Sequence, residues 1–159
     1  MSEKQYTTFR LGEDLFGIDI LLVREINRSL QITPVEQAPD FVTGLLNLRG
    51  QIITVIDLGL RLGLEKREMN VNTRCIVLKT SHELTSRHHA EEIVKNASSD
   101  QVGFLVDAVG DMVTVSDGDI APPPANLGQV SEKFLTGVVK LEHGLVGLLD
   151  VGRILHVQA

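Results

Sequence analysis

The sequence predicts an all-β protein built by internal duplication, and three observations carry that prediction. Short apolar and β-branched runs recur along the chain, each cut by Gly, Pro or Asp, which is the pattern of a sandwich or barrel. Residues 52–58 are apolar on both alternating faces apart from Thr54 and Asp57, so this strand belongs inside a layered or closed sheet. The chain also repeats itself. TGLLNLRGQIITVIDLG, from Thr43, aligns without a gap on TGVVKLEHGLVGLLDVG, from Thr136, with the Thr, the Gly, one Leu, the Asp and the last Gly identical. FGIDILLVREI, from Phe16, aligns on VGFLVDAVGDM, from Val102, so that Gly17 matches Gly103, Val23 matches Val109 and Glu25 matches Asp111. Ile32-Thr33-Pro34 lies between these segments as Ile120-Ala121-Pro122 does in the second half. Three matches in one order imply duplication.

Taken in order, 7–11 and 16–22 flank Gly12-Glu13-Asp14 and read as a hairpin. Residues 39–43 read as a single turn of helix, and 45–48 and 51–58 as strands joined at Arg49-Gly50. Further strands are expected at 73–79, 101–109, 112–115, 136–141 and 144–151. Helical signals are few. In 85–97, Ala90, Ile93, Val94 and Ala97 share one helical face and Ser86 is placed to cap its start. The last stretch, 151–159, reads as a short helix. The expectation is one domain over 1–159, with units at 12–66 and 67–150 and an inserted stretch at 81–100. Units this small seldom make a sufficient core alone, so they are expected to pack together and share one.

Composition narrows the function. The net charge is −6 over 159 residues, with no block of basic residues, which argues against tracking a phosphate backbone. With five Phe, one Tyr and no Trp, a base-stacking platform is not expected either. Cys75 is the only cysteine and reads as a small buried hydrophobe. MSEKQYTTFR carries no apolar signal core and no run reaches 18 apolar residues, so a cytoplasmic protein without membrane insertion is expected.

Arg49 is the anomaly, a charge in the middle of an apolar run. Turn chemistry accounts for Gly50, which supplies the positive φ that tight connections often require. It does not account for the arginine, because the second copy has Glu142-His143-Gly144 at the same tip. Arg49 is either a solvated turn residue or a partner contact.

FGIDILLVREI, APDFVTGLLNLRGQIITVIDL, VGFLVDAV and TGVVKLEHGLVGLLDVGRIL, in that order from about Tyr6 to Leu155, resemble the CheW family of chemotaxis coupling proteins. The resemblance implies two packed SH3-like five-stranded β-barrels. It also implies a non-enzymatic adaptor, without cofactor or metal, joining the regulatory domain of the histidine kinase CheA to the cytoplasmic tips of methyl-accepting chemoreceptors. A related module of another array, such as one for pilus-based motility, is the alternative. The glutamate of V-x-E-I is Glu25 and the arginine of N-L-R-G is Arg49. The family implies that they pair near a partner-binding surface, with Val23 and Gly44 close by. Val23 reads equally well as core, and Gly44 as the end of a turn. The insertion departs from the family pattern.

Enzymatic readings find little support. His82, His88 and His89 cluster with Glu83, Glu91 and Glu92, but HELTS lacks the second histidine of the zinc motif, and a solvated helix face is the expectation. Asp57 and Asp150 match in the repeat and read as caps of short helices. Neither a nucleophile elbow nor a phosphate-binding glycine loop is present. Residues 121–125, Ala-Pro-Pro-Pro-Ala, read as an extended connector.

Overall fold

A computed structural model describes residues 3–28, 30–66, 68–81, 101–142 and 144–155. The helix expected at 85–97 and the histidine cluster lie outside the described residues.

In chain order, the first half forms β1 (Glu3–Leu11), β2 (Asp14–Asp19), β3 (Val23–Asn27), β4 (Ile32–Thr33), β5 (Val42–Leu48) and β6 (Gln51–Asp57), then helix α1 (Leu58–Arg61). The second half forms β7 (Arg74–Leu78), β8 (Val102–Val106), β9 (Ala108–Ser116), β10 (Ile120–Ala121), β11 (Asn126–Leu127), β12 (Val130–Ser131), β13 (Leu135–Leu141) and β14 (Gly144–Leu149), then helix α2 (Val151–Leu155). The architecture is two SH3-like β-units, as expected, with six strands in each main sheet where five were expected. The strand expected over 16–22 stops at Asp19, whose carboxylate accepts a hydrogen bond from the Leu21 amide at 2.9 Å and turns the chain into a 3-10 turn. The run expected over 101–109 breaks at Asp107, so Ala108 and Val109 begin β9. At 39–43 only one reverse turn forms, closed by the Val42 amide on the Pro39 carbonyl at 2.9 Å.

The division at 66/67 is overturned. One sheet runs β10-β13-β14-β2-β1-β9 and the other β3-β7-β8-β6-β5-β4, so each takes a two-stranded element from the opposite half of the chain. The cause is parallel pairing across the duplication: β6 pairs with β8 through Val55 and Gly103, and β14 with β2 through Leu148 and Gly17. Those two pairs are the same pair in the repeat. The short strands obey the same symmetry, since Thr33 opposes Leu45 and Ala121 opposes Val138. Neither unit can form its sheet without the other half of the chain.

A shared core follows from that exchange. Phe9, Phe16 and Ile18 of one sheet pack in one cluster with Ile56, Ile76 and Phe104 of the other. Leu58 and Leu62 at α1, and Val151 and Ile154 of α2, belong to the same cluster. Side chains of this size each contribute about 1.5–3 kcal/mol on burial, so this cluster is the main stabilising element. Each unit keeps a smaller cluster of its own, one around Ile53, Val55 and Val77, the other around Val139, Val146 and Leu148. Both expected caps are present: Asp57 Oδ1 accepts from the Leu60 amide at 3.1 Å, and Asp150 Oδ1 from the Arg153 amide at 3.0 Å. Arg61 ties the two helices together by donating from Nε to the Ile154 carbonyl at 2.9 Å.

Cys75 is fully buried, and burial, with the Glu25 charge adding to it, pushes its thiol up to about 12. The unfolded thiol ionises near 8.5. Because the folded value is raised, this contribution to stability is complete below about pH 8.5 and is lost as pH rises towards 12. By pH 10 the loss should be on the order of 1–2 kcal/mol. Urea titrations at pH 7.5 and 10 should show the wild type losing this increment relative to Cys75→Ala; equal losses would contradict it.

Candidate functional site

The β5–β6 hairpin is a two-residue connection, with Leu48 opposite Gln51. Both connecting residues have positive φ, Arg49 at 52° and Gly50 at 86°, as a type I′ turn requires. Asn47 Oδ1 accepts from the Gly50 amide at 3.0 Å and holds the turn. Glycine adopts such a conformation freely, whereas a left-handed arginine costs on the order of 1–2 kcal/mol. The sequence assigned positive φ to Gly50 alone; the structure adds Arg49, and backbone strain of this kind is a pointer to function.

Glu25 reaches that turn from β3. Pairing of β3 with β7 slips between Val23 and Glu25, leaving Arg24 as the extra residue of a β-bulge. The bulge re-aims Glu25, whose Oε2 accepts from Arg49 Nη2. The expected pair is present. The arginine side chain is 71% exposed and the glutamate 25%, so the bridge is worth no more than about 1 kcal/mol to folding. Its guanidinium keeps further donors facing solvent, and it presents a charge to whatever meets the hairpin.

Val23, two residues before Glu25, is half-buried against the shared core and pairs with Leu78. Gly44 is not the end of a turn. It is buried inside β5, four residues before Leu48 and so roughly 13 Å down the strand at about 3.3 Å per residue. Its φ is 156°, and a Cβ there would lie 2.2 Å from the Thr33 carbonyl oxygen of β4. Close approach of β4 explains this glycine, and Gly137 repeats the arrangement against Ala121.

Sequence reasoning missed Arg24 and the exposure of two apolar side chains close to the corner in the chain. Ile52 was read as buried but is 53% exposed beside the turn, and Ile26, next to Glu25, is 41% exposed. Their repeat equivalents, Leu145 and Met112, are exposed too. The signal was available in the alignment, where both pairs are apolar at matching positions.

The fold and the corner together define a duplicated SH3-like β-protein that presents a charged, strained hairpin tip with apolar neighbours. The family model of the CheW-like domain matches residues 5–159, and the chain belongs to that family. It is 34% identical over 148 residues to the chemotaxis protein CheW of Rhizobium meliloti, covering 93% of this chain and 84% of that one. It is 31% identical over 152 residues to the chemotaxis protein CheW of Klebsiella aerogenes, covering 96% and 81%. The crystal structure of a scaffolding protein, TtCheW of Thermoanaerobacter tengcongensis, matches with a TM-score of 0.79 and 28% identity over 99% of this chain and 91% of that one. The similarity favours a chemotaxis scaffold over a module of another pathway. Among the described residues, no helix is long and apolar enough to cross a membrane.

Proposed function

We propose that this protein is a cytoplasmic adaptor of a chemoreceptor array. It bridges the regulatory domain of a CheA-type histidine kinase to the cytoplasmic tips of chemoreceptors and itself catalyses no reaction. The observation that carries the reading is the Glu25–Arg49 corner: Arg49 stands on a strained two-residue turn, paired with Glu25 of β3, and the duplicated hairpin closes without such a pair. An arginine that costs backbone energy and contributes little to folding is retained for a contact made elsewhere. The solvent-facing guanidinium suits a carboxylate or carbonyl acceptor on the partner, and Ile52 supplies apolar area beside it. Charge at the rim of such an interface sets orientation and encounter rate.

Reconstitution tests the adaptor reading. Kinase autophosphorylation is measured with receptor tips alone, with the protein alone and with both. The expected result is stimulation that requires receptor tips and protein together; unchanged kinase activity in all mixtures would refute the reading. Arg49→Asn supplies an independent check at the corner. It converts the turn to Asn-Gly, a preferred type I′ pair, and should keep or raise folding stability by up to about 1 kcal/mol. It should nevertheless lower the stimulation. A fully active Arg49→Asn protein would return Arg49 to the status of a turn residue.

A further inference from the structure

We infer that Arg24 is the positioning residue of the partner-binding corner, holding Glu25 so that Glu25 in turn holds Arg49; the inference rests on the adaptor reading above. Arg24 is the bulged residue of β3, and its side chain is mostly buried, 18% exposed, although it carries a charge. Its Nη1 donates to Gln101 Oε1 at 2.9 Å, and its Nε lies 3.9 Å from Glu25 Oε2, the same oxygen that accepts from Arg49. Gln101 is itself fixed, because its carbonyl accepts from the Thr54 amide of β6 at 2.9 Å. A polar chain therefore runs from the sheet outwards: Gln101, Arg24, Glu25, Arg49. One carboxylate oxygen lies between two guanidinium groups, one anchored and one free to meet a partner.

The duplication supplies the control. The same bulge exists in the second unit, where the β1–β9 pairing shifts between Thr7 and Phe9. There Gly110 stands at the position of Arg24, Asp111 at that of Glu25, Leu15 at that of Gln101 and Glu142 at that of Arg49. The chain of polar contacts is gone, and a pocket of about 210 Å³ opens between Gly110, Asp111, Leu15, Leu141 and Val146. Forming the bulge therefore does not require an arginine. In the first unit the matching position carries Arg24, whose Nε lies 3.9 Å from the neighbouring carboxylate. Burying part of a charged side chain is costly unless it is compensated; here Nη1 donates to Gln101, and Nε faces Glu25 at 3.9 Å, an ion-pair distance rather than a hydrogen-bond one.

Arg24→Met keeps the volume and removes the fork of donors, and Arg24→Lys keeps the charge without the fork. Two readouts decide the matter. In proton–nitrogen spectra of the free protein at low temperature, the Arg49 Nη–Hη resonances, whose Nη2 donates to Glu25, should collapse to the solvent-averaged position in Arg24→Met, as they should in Glu25→Gln, and recover part of their shift in Arg24→Lys. An Arg49 resonance unmoved by Arg24→Met would overturn the inference, whatever the partner. Binding is then measured for the kinase regulatory domain and for a receptor-tip fragment. Arg24→Met should weaken by about tenfold the interaction that Arg49→Ala weakens, and by less than twofold when Arg49 is already alanine. Independent effects that multiply would make Arg24 merely structural. If Arg49→Ala weakened neither interaction, the adaptor reading of the corner would fall first, and with it this role for Arg24.

Discussion

Gly44→Ala is expected to destabilise the protein by about 3–5 kcal/mol, a large part of the 5–15 kcal/mol that holds a typical domain together. Two costs add. The backbone sits at φ 156°, a conformation that L side chains rarely adopt, and strain of this kind costs on the order of 1–3 kcal/mol. The new methyl would also lie 2.2 Å from the Thr33 carbonyl oxygen and 2.8 Å from Ile32 Cγ2. Overpacking of that degree costs another 1–3 kcal/mol or so, because the obstacle is partly backbone. Thermal unfolding should show a midpoint lower by roughly 10–15 °C. The same experiment separates two roles for Gly44. If the variant is nearly as stable as the wild type yet fails to bind, Gly44 is a contact residue; if it is unstable, any loss of binding is secondary to folding.

Arg49→Glu should do the opposite, leaving stability within about 1 kcal/mol of wild type while weakening assembly on the order of 10–100-fold. The substitution removes the cation from the tip and places a second carboxylate against Glu25, which is 25% exposed. An exposed pair is screened and contributes little to folding, so the thermal midpoint should barely move. The partner meets a reversed charge at the rim, where like charges disfavour docking and slow association. Because the bridge is screened, raising the salt concentration should narrow the difference between wild type and variant.

The two outcomes differ because the two residues do different work. Gly44 is needed by the contact between β4 and β5 and would be needed in a protein with no partners. Arg49 contributes almost nothing to the hairpin except strain, and the second unit closes its matching hairpin with other residues at the tip.

Much of this was legible in the sequence because duplication amplifies weak signals. A single Gly17 or Asp57 says little, but each has a counterpart, Gly103 or Asp150, in the same frame, and those counterparts occupy equivalent registers and caps. The exchange of hairpins was not legible. Alternating apolar residues show that β6 is buried, but nothing in them distinguishes β2 from β8 as the strand beside it, since both copies carry the same pattern. Strands β4 and β10 escaped notice because two residues cannot show a period. The Arg49–Glu25 pair followed from the motifs carried by the family resemblance, whereas residue type alone could not place Arg24. Its side chain matters because a bulge points it at Glu25, and a one-residue slip in pairing leaves no mark in composition.

Size-exclusion chromatography of this protein with the kinase regulatory domain and, separately, with a receptor-tip fragment, wild type beside Arg49→Glu, tests the central claim most directly. At tens of micromolar, in the range of a weak specific affinity, the account predicts a complex of the wild type with each partner and the loss of at least one of them in an Arg49→Glu protein that unfolds at an unchanged temperature. A wild-type protein that elutes alone from the kinase domain, or complexes with both partners untouched by reversal of the charge at Arg49, would contradict it.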